Sequence, residues 1–184
     1  LQVAERYEGL WASVGLHPNH LTKQAFWDDD ELPPQEQATE MIKTRAEEFD
    51  PAYYRELTKH SKCVAIGECG LDYYRIPDDA NLDEVKRAQE TAVRAQFDLA
   101  SEVNLPVIVH CRDAHDRQAQ IICEYIDSCK LTRRGVVHCF TGTLAEAQRY
   151  IEMGFYISFT GIITFPPRKG EAGTDGLSDL QRVV

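Results

Sequence analysis

Short apolar segments alternate with segments of helical pattern along most of this chain, and that alternation limits the fold more than any other feature. The predicted strands are residues 10–16, 63–67, 107–109, 135–137 and 155–159. The predicted helices are residues 35–49, 50–57, 83–103, 114–128 and 144–153, with a last helix beginning within 177–184, and residues 21–34 and 166–176 are predicted loops. Strict alternation of this kind predicts parallel strands joined by right-handed helical crossovers.

Parallel strands of this kind occur in TIM barrels and in doubly wound sheets. Neither G-x-G-x-x-G nor G-x-x-x-x-G-K-[ST] follows the first predicted strand, so both nucleotide-binding sheet motifs are absent. The candidate functional residues all follow strands, as they do on the catalytic face of a barrel. We therefore predict an α/β fold of the TIM (β/α)8 barrel type. Five strands cannot close a barrel of eight, so we expect residues 1–184 to form a single domain that lacks its first and last strands.

Charge and cysteine content narrow the functional classes. The formal net charge of −10 argues against a broad basic surface that coats nucleic acid, but it is compatible with an enzyme that grips phosphates through metal ions. Six cysteines are present without a C-x-x-C pair, so we expect reduced thiols in a cytoplasmic protein, or a nuclear one if the source is eukaryotic. No apolar run approaches the roughly 20 residues of a membrane span. The sequence therefore predicts neither a membrane nor an obligate protein partner.

Four predicted strand ends carry side chains that bind metals: His17, Glu68, His110 and His138. A single histidine at a strand end is more often structural, and Glu68 alone is also compatible with a salt bridge. Four such residues in consecutive units are harder to explain in that way, because barrel strand ends converge. Imidazole and carboxylate ligands suit Zn, Mn or Fe, whereas Mg needs more oxygen ligands. A glutamate can also bridge two metals, and two-metal sites hydrolyse phosphate esters.

Three segments resemble the signature blocks of the TatD family of metal-dependent deoxyribonucleases. They are Gly67 to Tyr73, Val109 to His115 and Val137 to Gly142, and Gly15 to Pro18 is similar to the family's block after its third strand. The resemblance extends from about residue 10 to about residue 165. It implies a TIM barrel of the metallo-dependent hydrolase type that binds one to three divalent ions, such as Mg, Mn or Zn. It also implies a DNA substrate, cleaved typically from 3′ to 5′, and links to DNA repair and to DNA degradation.

The resemblance also implies roles for individual residues. Glu68 would be the catalytic residue and the bridging metal ligand, while His110 and His138 would each bind a metal. His17 would lie beside the metal centre and contact a substrate phosphate. Arg112 can grip a phosphate oxygen because a guanidinium fits phosphate with two hydrogen bonds, although a salt bridge to an aspartate at the rim is an equal alternative.

We expect mainly structural roles for the remaining polar and aromatic residues near the strand ends. We expect His115, on the helix that follows, to be structural. We expect Asp72 and Asp113 to tie the rim loops together, with a supporting role for a metal ligand as an alternative. Tyr73 and Tyr74 can stack on a base, but simple packing is the simpler expectation for both.

Two departures from the family pattern keep other functions open. The family usually has a His-x-His pair after its first strand and a Thr-Asp-x-Pro block after its last, and neither occurs here. Asp175 lacks the preceding strand and the proline, so it is not accepted as that aspartate. A chain truly this short is expected to be inactive, and a fragment is the favoured interpretation. One alternative is a hydrolase of the same fold that acts on another ester, a lactone or an amide. The other is a binding module without catalysis.

Overall fold

A five-stranded parallel sheet forms the centre of the computed structural model, which describes residues 1–27, 40–166 and 178–184. The strands are β1 (Ala12–Val14), β2 (Ala25–Trp27), β3 (Met41–Lys43), β4 (Cys63–Asp72), β5 (Val107–Arg112), β6 (Gly135–Val137) and β7 (Tyr156–Ile157). The order in the sheet is β1-β4-β5-β6-β7, and every neighbouring pair is parallel. The predicted α/β fold with five parallel strands is thus confirmed, and the barrel is not closed within the described residues.

The helices lie between the strands, as the alternation predicts. They are α1 (Gln2–Arg6), α2 (Pro51–Thr58), α3 (Leu82–Val103), α4 (His115–Asp127), α5 (Leu144–Glu152) and α6 (Asp179–Val183), with 3-10 helices at Pro18–Leu21 and Gly161–Thr164. The predicted start of α2 is confirmed, because the Asp50 side chain accepts hydrogen bonds from the backbone of Ala52 and Tyr53. Among the described residues, no helix combines the length and the apolar character that a membrane span requires.

The core lies between the sheet and the helices. Ile66, Leu71 and Val109 on the central strands are completely buried, as expected for parallel strands that are covered on both faces. Helix α3 covers β4 and contributes Val93 and Phe97, which are also completely buried. The resulting core fixes β4 and β5, the two strands that carry the candidate ligands Glu68 and His110.

Two buried glutamines of α3 tie this helix to the backbone near the site. The Gln96 amide accepts a hydrogen bond from Leu16 N (2.8 Å) and donates one to Leu16 O (3.0 Å). Gln89 makes the same pair of bonds with the backbone of Asp72, at 2.8 and 2.9 Å. The two glutamines are seven residues apart, so they lie on the same face of the helix. They satisfy buried backbone groups beside His17 and at the end of β4.

The helix predicted at residues 35–49 is wrong for its described part. Residues 41–43 form β3, which pairs antiparallel with β2 and places Ile42 opposite Phe26. Met41 and Ile42 remain 41% and 38% exposed, so an apolar helix face here would have no core to pack against. Pairing with β2 satisfies the backbone instead, and Thr44 reinforces it by accepting a hydrogen bond from Gln24 N at 3.0 Å. The helical composition of this segment is therefore overridden by strand pairing with a segment some sixteen residues away.

Several sequence predictions fall outside the described residues. These are the predicted loop at 28–34, the first part of the predicted helix at 35–39, and the loop at 167–176 that includes Asp175. Within the described part, β2 and the 3-10 helix Pro18–Leu21 interrupt the loop that was predicted from residue 21.

Candidate metal centre

Glu68 lies inside β4 rather than after it, which corrects the predicted strand end at residue 67. The register between β4 and β5 shifts between Ile66 and Cys69, so Glu68 sits at an irregularity of the strand. Gly67 and Gly70 flank this position, with φ angles of +154° and +147°. A Cβ on Gly70 would lie 1.9 Å from the carbonyl oxygen of His110, so only glycine allows β5 to approach this closely. The close approach brings His110 beside Glu68.

Two histidines meet one oxygen of Glu68. The Oε1 atom lies 3.2 Å from His138 Nδ1 and 3.4 Å from His110 Nδ1. His110 belongs to β5, and His138 follows β6 directly. His17, beyond β1, packs its ring against His110 with 4.3 Å between the centroids. The strands therefore bring all four predicted residues together, around a cavity of about 310 Å³.

One compact group of metal-binding side chains differs from the set that the resemblance implies. His17, Glu68 and His110 each offer a ligand atom, and these atoms all lie within 4.8 Å of one another. The family resemblance implies Glu68, His110 and His138 as ligands, with His17 as a phosphate contact. His138 lies beside Glu68 but is 46% exposed at the cavity mouth. The geometry therefore allows four neighbouring ligand candidates, and the choice among the histidines depends on which ring nitrogen is available.

Asp72 holds His110 in its orientation. Asp72 Oδ2 lies 3.0 Å from His110 Nε2 and accepts a second hydrogen bond from Asn19 Nδ2 at 3.1 Å. The other oxygen accepts from the backbone N–H groups of Tyr74 and Arg75, which confirms the predicted role in tying the rim loop. The carboxylate is 1% exposed and directs Nδ1 of His110 towards Glu68. A carboxylate behind a histidine is a common support for a metal ligand.

The ring nitrogens of His17 have different hydrogen-bonding roles from those of His110. His17 Nδ1 accepts a hydrogen bond from Asn19 N at 3.2 Å. Burial, together with repulsion from His110, lowers the pKa of His17 to about 4. A neutral ring whose Nδ1 accepts carries its proton on Nε2. Nε2 of His17 is therefore a donor in this arrangement, whereas a metal ligand needs a lone pair.

The charges of Glu68, Asp72 and His110 together favour a bound cation. Burial would raise the pKa of Glu68, but hydrogen bonding to His110 and the nearby positive charge outweigh burial and lower it to about 2. Asp72 follows the same pattern, and its pKa is also lowered to about 2. Burial would lower the pKa of His110, but hydrogen bonds to Asp72 and Glu68 together raise it to about 9. Among these three groups, two carboxylates face one imidazolium, and their net negative charge suits a divalent ion, while Arg75 and Arg112 supply positive charge elsewhere along the cavity.

Arg112 and the neighbouring aromatic residues form the rim. The guanidinium of Arg112 lies 3.8 Å from the centre of the Tyr74 ring, and Arg112 lines the cavity. Tyr73 packs instead under Lys86, at 4.6 Å. His115 is buried and its Nδ1 lies 3.3 Å from the hydroxyl of Tyr150, which confirms its structural role. The rim therefore carries Arg112 as a cationic group that lines the same cavity as the candidate ligands.

Two features near the site are absent from the sequence predictions. Gln89 and Gln96 interrupt the apolar face of α3 at a seven-residue spacing, and that polar interruption was the available signal. Phe26, Ile42 and Arg75 line the cavity together with the candidate ligands. No local pattern indicated the position of Phe26 and Ile42, because it depends on the pairing of β2 with β3. Arg75 lies in the loop after β4, where no local pattern indicated it either.

The fold is a TIM-barrel-like α/β fold of parallel strands, and imidazole and carboxylate groups converge at one rim of it. This combination is typical of metal-dependent hydrolases. The family described as TatD related DNase matches residues 1–177. The chain belongs to this family, as the resemblance of its motifs predicted.

Individual relatives agree with this assignment. The chain is 35% identical to the 3′-5′ ssDNA/RNA exonuclease TatD of Cronobacter sakazakii, over 86% of this chain and 48% of that protein. It is 34% identical to the uncharacterized metal-dependent hydrolase YabD of Bacillus subtilis, over 92% of this chain and 54% of that protein. The chain thus spans about half the length of these relatives.

Solved structures show the same fold. The crystal structure of YJJV, a TatD homologue from Escherichia coli K12, superimposes with a TM-score of 0.66 at 31% identity and covers 90% of this chain and 52% of that chain. A TatD family hydrolase from Entamoeba histolytica gives a TM-score of 0.60 at 25% identity, over 99% of this chain and 50% of that chain.

Proposed function

We propose that this protein is a metal-dependent nuclease that hydrolyses phosphodiester bonds of single-stranded DNA from the 3′ end. The observation that carries the proposal is the convergence of His110 and His138 on one oxygen of Glu68. The names of relatives such as the exonuclease of Cronobacter sakazakii support the substrate class. The cavity of about 310 Å³ is large enough for a terminal nucleotide's phosphate and sugar.

The donor set fits a divalent ion. Glu68 would hold it through carboxylate oxygen, with His110 and His138 offering imidazole nitrogen, a combination that suits Zn or Mn. His110 presents Nδ1 for this purpose, because Asp72 occupies Nε2. When bound, the ion supplies a Lewis acid that lowers the pKa of water and neutralises phosphate charge.

The other residues of the site would bind and orient the substrate. His17, with its proton on Nε2, would donate a hydrogen bond to a phosphate oxygen. Arg112 would contribute a positive charge from the rim, where its guanidinium already lies over Tyr74. These two donors would hold the phosphate group while Glu68 keeps its negative charge for the cation.

We also propose that the protein works in a reducing compartment, the cytoplasm. The cysteines support this, because no disulfide joins any of the six, all of which lie in the described residues. Cys69 and Cys111 are buried beside the site, where burial raises the thiol pKa and keeps these groups unreactive.

A digestion assay tests the proposed activity. The full-length protein should shorten a 5′-labelled single-stranded oligonucleotide one nucleotide at a time in Mn²⁺ or Mg²⁺, and EDTA should stop the reaction. Glu68→Gln should reduce the rate at least about 1,000-fold, because metal-bound stabilisation is worth several kcal/mol. Glu152→Gln, the same change at an exposed position on α5, is the matched control.

Two outcomes would contradict the proposal. Cleavage that persists in EDTA, or equal rates for Glu68→Gln and Glu152→Gln, would remove the metal-dependent mechanism. Hydrolysis of a lactone or an amide without any digestion of DNA would instead support the alternative hydrolase of the same fold.

A further inference from the structure

The β2–β3 pair supplies an apolar wall to a cavity whose other side is charged. Phe26 of β2 and Ile42 of β3 are cross-strand partners. Both line the cavity that also contains Glu68 and His110. Phe26 is half-buried and Ile42 is 38% exposed, so the wall retains surface that faces the opening. A ligand that fills this cavity therefore has to combine a charged part with an apolar part.

A guanidinium group extends this wall. The Arg75 guanidinium carbon lies 4.4 Å from the centre of the Phe26 ring, and Arg75 also lines the cavity. The backbone N–H of Arg75 donates to Asp72 Oδ1 at 2.9 Å, and the other oxygen of that carboxylate contacts His110. The wall is thus fixed to the candidate metal centre through one buried carboxylate. Its position relative to the ligands is set by the fold.

The chemistry of this wall fits a nucleobase. Bases stack on aromatic rings and on arginine planes, and here the Arg75 guanidinium lies over one face of the Phe26 ring, so the two groups form one stacked surface. A simple phosphate ester or a small lactone would not need a planar apolar surface next to the metal ligands. A nucleotide needs both, because its phosphate is charged and its base is flat and largely apolar. The charge and shape of the two sides of the cavity therefore match one nucleotide.

We propose that Phe26, Ile42 and Arg75 form a subsite that binds the base of the nucleotide next to the phosphate being cleaved. This inference rests on the proposed nuclease function and adds the recognition of a base by stacking. Stacking accepts every base, so the subsite would favour unpaired nucleic acid without strong sequence preference.

A binding measurement without turnover tests the subsite. The full chain is titrated into a fluorescein-labelled oligothymidylate, and into an abasic oligonucleotide of equal length, at low salt in EDTA. Phe26→Ala should weaken oligothymidylate binding about 5- to 150-fold, the range measured for loss of one stacking contact. Binding of the abasic strand should be unchanged. Trp27→Ala is the matched control, because Trp27 is 50% exposed and neighbouring residues of a strand point to opposite faces.

A second substitution at Phe26 distinguishes loss of the aromatic ring from disruption of the β2–β3 pair. Phe26→Leu keeps an apolar side chain in the strand but removes the ring, and it should weaken binding as Phe26→Ala does. The subsite would be overturned if the wild-type chain binds both oligonucleotides equally, or if Phe26→Leu and Trp27→Ala have the same effect. Selective binding of oligothymidylate by a full-length protein that digests no DNA would support base binding at the subsite and contradict the nuclease proposal.

Discussion

Replacing Gln96 with leucine should destabilise the protein, although leucine is apolar and the position is buried. The Gln96 side chain is 1% exposed and satisfies both the N–H and the C=O of Leu16. Leucine would leave these two buried groups without partners, at about 1–3 kcal/mol each. Burial of the leucine side chain would offset about 1.5–3 kcal/mol of this cost. The expected net loss is about 2 kcal/mol of unfolding free energy.

Replacing Gln118 with leucine should instead raise the free energy of unfolding. Gln118 on α4 is completely buried, and neither amide atom has a hydrogen-bond partner among the described residues. Leucine there breaks no hydrogen bond and removes two polar atoms from the core, so we expect a gain of about 2 kcal/mol. The two variants, identical in chemistry, should therefore differ by about 4 kcal/mol.

Urea unfolding followed by circular dichroism measures both variants. EDTA should be present throughout, because a bound metal would add its own contribution to stability. The midpoint of Gln96→Leu should fall below that of the wild type, and the midpoint of Gln118→Leu should rise above it. A Gln96→Leu midpoint at or above that of the wild type would refute the assignment of Gln96 as the group that satisfies Leu16, and a fall for Gln118→Leu would refute the unpartnered state of Gln118.

Two further predictions concern the support and the protonation of His110. Asp72→Asn should weaken Zn²⁺ binding about 10- to 100-fold, measured by competition with a chelator, because the carboxylate that orients His110 is lost; an unchanged affinity would contradict that role. Zn²⁺ binding at pH 7 should release about one proton, because the pKa of His110 is raised to about 9 without metal and its Nδ1 must lose a proton to coordinate. Calorimetry in buffers of different ionisation enthalpy measures this release, which should disappear above about pH 10; zero release at pH 7 would show that His110 is not a ligand.

The sequence predicted the parts of the fold that depend on local pattern. Helix α3 was predicted at residues 83–103 and spans Leu82–Val103, because its apolar periodicity and its stop at Asn104 are both local signals. The β2–β3 pair was missed, because it depends on contacts between residues 25–27 and 41–43. A short exposed strand has little pattern of its own, and its partner decides its structure.

For the candidate site, the sequence predicted which residues meet but not their local geometry. The alternation of strands and helices predicted that Glu68, His110 and His138 approach one another, and the structure brings them together. The sequence did not reveal that Glu68 lies at a register shift inside β4. It also did not reveal which ring nitrogens of His110 and His17 are already engaged, because that depends on the hydrogen bond that His110 Nε2 donates to Asp72 and on the one that His17 Nδ1 accepts from Asn19 N. Side-chain direction depends on such contacts, which no spacing rule encodes.

Anomalous diffraction from crystals grown with Zn²⁺ tests the central claim most directly. The claim predicts a zinc peak in the cavity, about 2.0–2.2 Å from a carboxylate oxygen of Glu68 and from Nδ1 of His110. His138 should complete the ligand set from the other side of Glu68. Full zinc occupancy elsewhere, with no peak within coordination distance of Glu68, would contradict the account.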